Sequence, residues 1–379
     1  MWRAKHTMNE EAAINEFSLP APHKRNWRDW QNAQPPFQST DPRFELRLSS
    51  PEDFPEIYAL LNTVFDGQRT EAEFDWIYRK NPYGEAFCEV VIEKSSGQII
   101  TTNGHFPWPL RKGDQDFSAV QSGDAATHPR MQRQGLMSLR LQLQQEHPWN
   151  STHIHIALPN EASRALALKY NQPNPTCPMP FAKKILDWRS FLSTKGVPNY
   201  LAKVAAPVAH AATRPPDRQL GELRIEAIHS FDQQHQALSL ECSRSEGFWC
   251  PHGAQWMNWR YFGHPTKEYM AHGLYDGDQL KAFSVVRLDD SSAMLMELIS
   301  SDIHSSLILL GQVEAIARKA GAITIDSYAS ESWKQWPALK QQRYFMRPSN
   351  IYVDTESIDY PDVLLSKNWQ LLPGDSDVF

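Results

Sequence analysis

The residues best suited to chemistry lie in one stretch, 127–138, which reads Thr-His-Pro-Arg-Met-Gln-Arg-Gln-Gly-Leu-Met-Ser. It holds Arg130, Arg133 and a single glycine, Gly135. Residues 117–126 before it read as a strand. Residues 136–145 after it carry Leu136, Leu139, Leu141 and Leu143 with no breaker, as a helix does. A short polar turn therefore joins a strand to the start of a helix. Backbone N–H groups at a helix N-terminus lack intrahelical acceptors and carry partial positive charge, which suits a phosphate or pyrophosphate. Gly135 lets the backbone approach an anion closely, and the arginines add charge. The same residues also suit an ordinary strand-to-helix connection with a solvated basic turn, because one glycine alone is a weak signal.

Composition narrows the chemistry. A chain of 379 residues has the length of two domains. Hydrophobic content of 41% and aromatic content of 11%, with 13 tryptophans, is enough for real cores. A net charge of −6 argues against a nucleic-acid partner, whose footprint would be basic. Cys88, Cys177, Cys242 and Cys250 are too few and too scattered for a disulfide framework, and no Cys-x-x-Cys pair occurs. Cys250, His252 and His264 have ligand chemistry without ligand spacing, so no metal is expected. The first residues show no apolar leader core, and no run of about eighteen apolar residues occurs. A cytoplasmic protein with no membrane partner is the expectation.

The elements that must position the turn follow from local pattern. Residues 1–42 read as an extension, because Pro20, Pro22, Pro35, Pro36 and Pro42 interrupt any long helix; Trp27 and Trp30 are its candidate anchors. Residues 44–48 alternate as a half-buried strand. Ser50, Pro51, Glu52 and Asp53 open a helix whose apolar face carries Ile57, Leu60, Leu61 and Val64. A second helix is expected over 71–80. Strands at 88–93 and 98–103 flank a turn at Gly97, and strands at 106–111 and 117–127 continue an antiparallel meander. A strand over 153–158, with His153 and His155 on one half-exposed face, a helix over 160–170 and a strand over 181–188 complete the first half. Gly196, Pro198, Pro207, Pro215 and Pro216 mark a boundary that holds a short alanine-rich helix at 201–213. The second half restarts with a strand at 223–228 and a helix at 231–243. Strands follow at 271–275, 280–288 and 293–299, then a helix at 305–320, a strand at 322–327, a helix at 331–341 and a last strand at 344–353. The layout is α+β, each half a mixed, mostly antiparallel twisted sheet flanked by helices. The expected partition is an extension over 1–42, a first domain over 43–189, a linker over 190–219 and a second domain over 220–379.

The two halves share an internal repeat. Trp76, Tyr78 and Pro82 recur as Trp259, Tyr261 and Pro265, both Trp-x-Tyr-x-x-x-Pro, 183 residues apart. Each copy is followed by a hairpin with a turn glycine, Gly97 or Gly277, and by the same order of elements, which makes duplication the better reading. The copies differ at the decisive turn. The second has Ser300, Ser301, Asp302, Ile303 and His304, without the glycine or the arginines, and Asp302 opposes a phosphate while making an ordinary N-cap.

With these residues in place the chain resembles the GNAT acyltransferase superfamily, in its tandem two-domain form with a degenerate second GNAT-like domain. That family's signature, Gln/Arg-x-x-Gly-x-Gly/Ala between a strand and a helix, is matched by Gln132, Arg133, Gln134, Gly135, Leu136 and Met137, after His128 and Pro129. Its later asparagine motif is matched by Asn160, ahead of Glu161, Ala162 and Ser163. The resemblance covers 43–188 directly and 220–356 by pattern. It implies acetyl-CoA, or another acyl-CoA, as co-substrate, with the pyrophosphate on backbone N–H groups of the turn up to Ser138. The pantetheine arm is then implied along the strand edge at Ala125, Ala126 and Thr127, where that strand splays from the next, with Asn160 nearby. Direct attack of a deprotonated amine on the thioester is also implied, which needs a base and an acid for the leaving thiolate. Asp124 and His128 are the candidate bases, ahead of His105 and Glu89. The family's helix tyrosine falls on Ala167, so Tyr170, about a turn further on, is the candidate general acid. Met137 departs from the family's small residue.

The expected function is an acyl-CoA-dependent N-acyltransferase, in the first place an N-acetyltransferase acting on a small-molecule amine or amino sugar, as a monomer or homodimer. The alternatives are a non-catalytic CoA-binding or sensing protein and a tandem GNAT-like aminoacyl transferase. The acidic net charge speaks against a nucleic-acid carrier for the last of these.

Overall fold

The computed structural model describes residues 37–67, 69–140, 154–161, 163–165, 177–216, 218–242, 247–356 and 361–376. Trp27, Trp30, His153, Ala167 and Tyr170 lie outside the described residues.

Strand β1 (Phe44–Leu48) buries Phe44, Leu46 and Leu48, as its alternation requires. Asp53 then ties the strand to helix α1 (Phe54–Val64), accepting from the Ser50 N–H and from Arg47, each at 2.6 Å. Helix α2 (Glu71–Tyr78) starts on a reciprocal capping box. The Glu73 N–H donates to the Thr70 hydroxyl at 3.3 Å, and the Thr70 N–H donates to the Glu73 carboxylate at 2.8 Å. Strands β2 (Phe87–Glu93), β3 (Gln98–Lys112) and β4 (Gln115–Thr127) form the expected antiparallel meander.

One expectation is corrected here: 98–103 and 106–111 are a single strand of 15 residues. Pro107 and Pro109 sit opposite Val120 and Ser118, beyond Phe87, where β2 ends. A proline there removes no ladder hydrogen bond on the β2 side. Strand β5 (Ile154–Ala157) runs parallel to β4.

The second half repeats this order. After β6 (Cys177–Pro178), β7 (Phe181–Ile185), α3 (Trp188–Thr194) and α4 (Asn199–Thr213) come β8 (Arg224–Ile228), α5 (Gln233–Cys242), β9 (Phe248–Trp249) and α6 (Ala254–Met257). A turn of π-helix (Asn258–Phe262) leads into β10 (Tyr269–Asp276), β11 (Gln279–Asp289) and β12 (Ser292–Ser300). Helix α7 (Ile303–Lys319), β13 (Thr324–Tyr328), α8 (Trp336–Gln341), β14 (Phe345–Arg347), β15 (Tyr352–Glu356) and β16 (Trp369–Gln370) complete the chain. The helix expected over 331–341 is shortened to α8, with Pro337 in its first turn, where a missing N–H costs nothing.

The fold is α+β, with two mostly antiparallel sheets flanked by helices. Their strand orders are β1-β2-β3-β4-β5-β15-β6 and β14-β7-β13-β12-β11-β10-β8. The halves exchange strands. β7, expected to finish the first sheet, pairs with β13 and β14 in the second. The last strand, expected as one piece over 344–353, divides at Pro348. β14 stays in the second sheet, and β15 crosses to pair with β5 and β6 in the first. Proline cannot continue a ladder as a donor, so the chain turns between the two sheets there.

The repeat forms the seam. Trp76 and Trp259 stack with centroids 4.5 Å apart, and each indole N–H donates to the other's carbonyl, at 3.0 and 3.2 Å. Such a pair adds roughly 0.5–1.5 kcal/mol beyond the area it buries. The repeat's tyrosines match too. Tyr78 donates to Asp124 on β4, and Tyr261 donates to Glu297 on β12. Both carboxylates sit where the register slips, opposite Thr102/Gly104 and opposite Val285/Val286.

Candidate functional site

The turn between β4 and the helix beginning at 136 is seated by apolar contacts. Met131, Leu136 and Leu139 pack against Phe44, Leu46, Val91 and Ile100. Those anchors leave Gln132, Arg133, Gln134 and Gly135 exposed between them. Arg133 and Gly135 both take positive φ, +64° and +78°. A Cβ at Gly135 would meet nothing within 4 Å, so the backbone angle, and not internal crowding, is what asks for glycine. The left-handed Arg133 had no signal in the sequence.

The two arginines differ in role. Arg130 is held by Glu93 at 3.0 Å and Gln98 at 2.8 Å, which fastens the turn to the β2–β3 hairpin. Arg133 meets no partner among the described residues. The side chains of Gln132 and Gln134 donate to the carbonyls of Thr127 and Arg130, at 3.3 and 3.4 Å, closing the loop on itself. Met137 and Ser138 are half-buried on the first helical turn. His128 accepts the Arg130 N–H on its Nδ1 at 3.3 Å, so its ring caps the short 3-10 turn Pro129–Met131. It does not line the cleft described next.

β4 and β5 pair only from Ala119–Ile154 to Ser122–Ala157. Beyond that point no strand among the described residues covers the β4 edge at Gly123, Asp124, Ala125, Ala126 and Thr127. The separation opens a cleft of about 480 Å³. Asp124 and Ala125 form its floor, and Asn103, Leu158, Asn160 and Ser163 line its sides. Asp124 adopts φ +52°, an unusual angle for a non-glycine residue, in the bulge of β4. Its Oδ2 accepts from Arg69 at 2.6 Å and from the Tyr78 hydroxyl at 3.0 Å. The Asn160 side chain accepts the Ser163 N–H at 2.9 Å, so it caps the next helix at the cleft's edge.

The opposite wall comes from the second half, at the end of its copy of the Trp-x-Tyr repeat. Thr266 donates to Glu73 at 2.6 Å across the seam. His264 packs on Trp76, 4.4 Å between centroids, and its Nδ1 accepts from the backbone N–H groups of Thr266 and Lys267 at 3.3 and 3.1 Å. Burial, then the charges of Lys267 and Arg260, holds His264 down at about 4. It is therefore neutral at pH 7 with its proton on Nε2: a hydrogen-bond donor toward its surroundings, not a base. Lys267 is pushed down to about 8, by burial first and then by Arg287 and Arg260.

Beneath the floor lies a buried polar network. Asn103 contacts His105 at 2.9 Å, and the Ser122 hydroxyl meets His105 at 3.0 Å and His155 at 3.4 Å. Glu89 pairs with Arg140, from the helix after the turn, and stands 3.5 Å from His105. Burial works to raise the Glu89 carboxyl, but Arg140 and His105 outweigh it and hold it at about 2. Burial, opposed by Glu89, keeps His105 below its ordinary value. Glu89 and His105, the weaker base candidates, thus sit under the site as its support.

The second sheet's counterpart of the cleft is filled. Segment 371–376 lies against the β12 bulge, where a Cβ on Gly374 would collide with Glu297 and Tyr261. His252 Nε2 bonds Asp375 at 2.8 Å and lies 3.4 Å from Glu297, and Arg260 donates to the carbonyls of Gly374 and Ser376. The ligand-type atoms of His252, Glu297 and Asp375 fall within 4.8 Å of one another. Burial opposes charging of His252, yet Glu297 and Asp375 raise it to about 9, while burial pushes the Glu297 carboxyl up to about 7. His264 belongs to the cleft and shares no ligand cluster with His252. At the turn itself, Asp302 caps α7 through the Ser305 N–H at 2.8 Å, in place of the first half's glycine.

Residues 45–153 match the family model of the acetyltransferase (GNAT) domain. No curated protein matches the sequence. Among solved structures, the chain is similar to a protein of unknown function from Enterococcus faecalis V583 described as a probable N-acyltransferase. The TM-score is 0.61 at 10% identity, over 82% of this chain and 72% of that one. A GCN5-related N-acetyltransferase from Anabaena variabilis gives 0.58 at 10% identity, over 82% and 72%. The N-myristoyltransferase of Saccharomyces cerevisiae, solved with myristoyl-CoA bound, gives 0.52 at 11% identity, over 85% and 84%. At such identities the likeness is one of fold.

Proposed function

We propose, from the premise that the chain carries a GNAT acetyltransferase domain at residues 45–153, that it is an acyl-CoA-dependent N-acyltransferase, in the first instance an N-acetyltransferase. The observation that carries the reading is the separation of β4 from β5 beyond Ser122 and Ala157. It leaves one strand edge with a polar cleft at its start and the 127–138 turn at its end. The residues present fit an acyl-CoA. Ala125, Ala126 and Thr127 offer backbone groups along the edge to a pantetheine arm. The N–H groups from Gln132 to Ser138, with Arg133, offer positive charge to a pyrophosphate. When bound, the thioester supplies an activated acyl carbonyl.

An amine acceptor suits the cleft's polar lining, where the carboxylates of Glu73 and Asp124 are balanced by Arg69, which pairs with Asp124 at 2.6 Å, and by Lys267. Asp124 is the candidate base. Lys267 is the candidate proton donor to the departing thiolate, because about 8 lies close to the ordinary thiol value of roughly 8.5 and makes the transfer nearly isoenergetic. A donor must be protonated, so kcat should fall as pH rises through about 8. Replacing Lys267 with methionine is expected to lower kcat about 100-fold. Lys267→Arg should remove the inflection near 8. An unchanged kcat in Lys267→Met would remove the residue from the chemistry.

The acceptor, expected to be a small-molecule amine or amino sugar, is tested by incubating the full chain with acetyl-CoA and longer acyl-CoAs against an amine panel. CoA release and the mass of the acylated product are followed. The hold of Arg69 and Tyr78 on Asp124, whose side chain is only 4% exposed, favours a second reading, a CoA-binding protein without turnover. Tight CoA binding with no product on any amine would select it.

A further inference from the structure

Helix α4 (Asn199–Thr213) is amphipathic in the wrong sense for a helix that only covers a core. It buries the small side chains of Ala202 and Ala206 against the protein. It exposes its large apolar ones: Tyr200 at 71%, Leu201 at 48%, Val204 at 73% and Val208 at 71%. At about 100° per residue these four share one arc of roughly 100°, nearly opposite the alanines. The stripe therefore points away from the molecule. Packing against α3 (Trp188–Thr194) holds it there, with the Trp188 indole donating to Thr213 at 2.9 Å and Arg189 donating to Asn199 at 3.1 Å. Phe345, itself 48% exposed, contacts Trp188 and extends the apolar surface.

The charge of this hairpin says what covers the stripe. Residues 188–216 hold Arg189, Lys195, Lys203 and Arg214 and no Asp or Glu, although the chain as a whole has 38 basic and 44 acidic residues. All four cations are exposed. Burial, and then Arg318, Arg214 and Lys184, keeps His210 below its ordinary value. Exposed apolar side chains on a hairpin that carries four exposed cations, in an acidic protein, match the interface of an anionic bilayer, where apolar burial and headgroup attraction add. No helix among the described residues is long and apolar enough to cross a membrane, and α4, at 15 residues, is short of the span.

We infer that α4 is a membrane-surface element that seats the protein on an anionic lipid bilayer through Tyr200, Leu201, Val204 and Val208. This revises the expectation of no membrane partner, which rested on the lack of a spanning segment: a helix that lies on a bilayer needs none. It does not depend on the acyl-transfer reading.

The test is co-sedimentation of the full chain with vesicles of phosphatidylglycerol and phosphatidylcholine in equal parts, against vesicles of phosphatidylcholine alone. Binding to the anionic vesicles should be about tenfold stronger, and it should weaken with salt and in Lys195→Glu with Lys203→Glu. Val204→Glu with Val208→Glu should lower it at least about tenfold, and both sites are exposed, so an unchanged melting curve should accompany the loss. Absence of binding to anionic vesicles, or binding that the glutamates leave intact, overturns the proposal. So does self-association in sedimentation velocity, without vesicles, that the same glutamates abolish, because a second copy would then be what covers the stripe.

Discussion

Gly135→Glu is expected to abolish acyl-CoA binding while leaving the fold in place. Two effects act together. The position holds φ +78°, which an L-residue adopts at a cost of order 1 kcal/mol, and the open space around it means that the new side chain displaces nothing. The larger effect is charge. A carboxylate about 4 Å from a pyrophosphate, at an effective dielectric near 20, opposes it by about 4 kcal/mol, or roughly a thousandfold in Kd. Titration calorimetry with CoA, beside a thermal melt, separates binding from folding. Gly135→Ala isolates the backbone part and should cost about tenfold or less. Unchanged CoA affinity in Gly135→Glu would show that the turn is not the binding site, whatever the enzyme does.

Arg140→Ala is expected to cost about 3–5 kcal/mol of stability, because it leaves the buried Glu89 without its cation, with only Asn103 at 3.4 Å and His105 at 3.5 Å beside it. The residue has no place at the surface of the cleft, so this is a folding effect first, read from the urea midpoint. Replacing both partners, Arg140→Met with Glu89→Leu, should recover most of the loss, since an apolar pair of similar volume carries no stranded charge. Acid provides an independent reading. The folded carboxyl of Glu89, held near 2, lies below its ordinary 4.5, so the pair's contribution is complete above about 4.5 and is lost as pH falls toward 2. The double variant should lack that part of the acid transition. If Arg140→Ala were as stable as the wild type, the network beneath the cleft would have no structural role.

The elements differed in how plainly the sequence announced them. β1, α1 and α2 carry alternation, Ser50–Asp53 and Thr70–Glu73, signals that act within a few residues and survive in any tertiary setting. The same holds for the turn at 127–138, whose strand, glycine and leucines are contiguous. The Trp-x-Tyr repeat was legible because duplication leaves equal spacing. Arg133 and Asp124 were not legible as left-handed residues, since neither is the glycine that such angles usually select. Lys267 had no signal, and His264, inside the Trp259–Pro265 repeat, drew notice only as a possible ligand. Both stand in the degenerate half and reach the cleft because the repeats pack face to face at Trp76 and Trp259.

By itself, then, the sequence determined the α+β layout, the duplicated order of elements and the turn that can receive an anion, all of which rest on periods of two or 3.6 residues and on caps. Only the tertiary structure decided which strand joins which sheet. β7 and β15 would pair equally well by pattern with either sheet, because a backbone ladder reads edges and register and not which half a strand belongs to. It also decided that one bulge opens as a cleft while the other is filled by 371–376. Those contacts join residues more than a hundred positions apart, where no local pattern reaches.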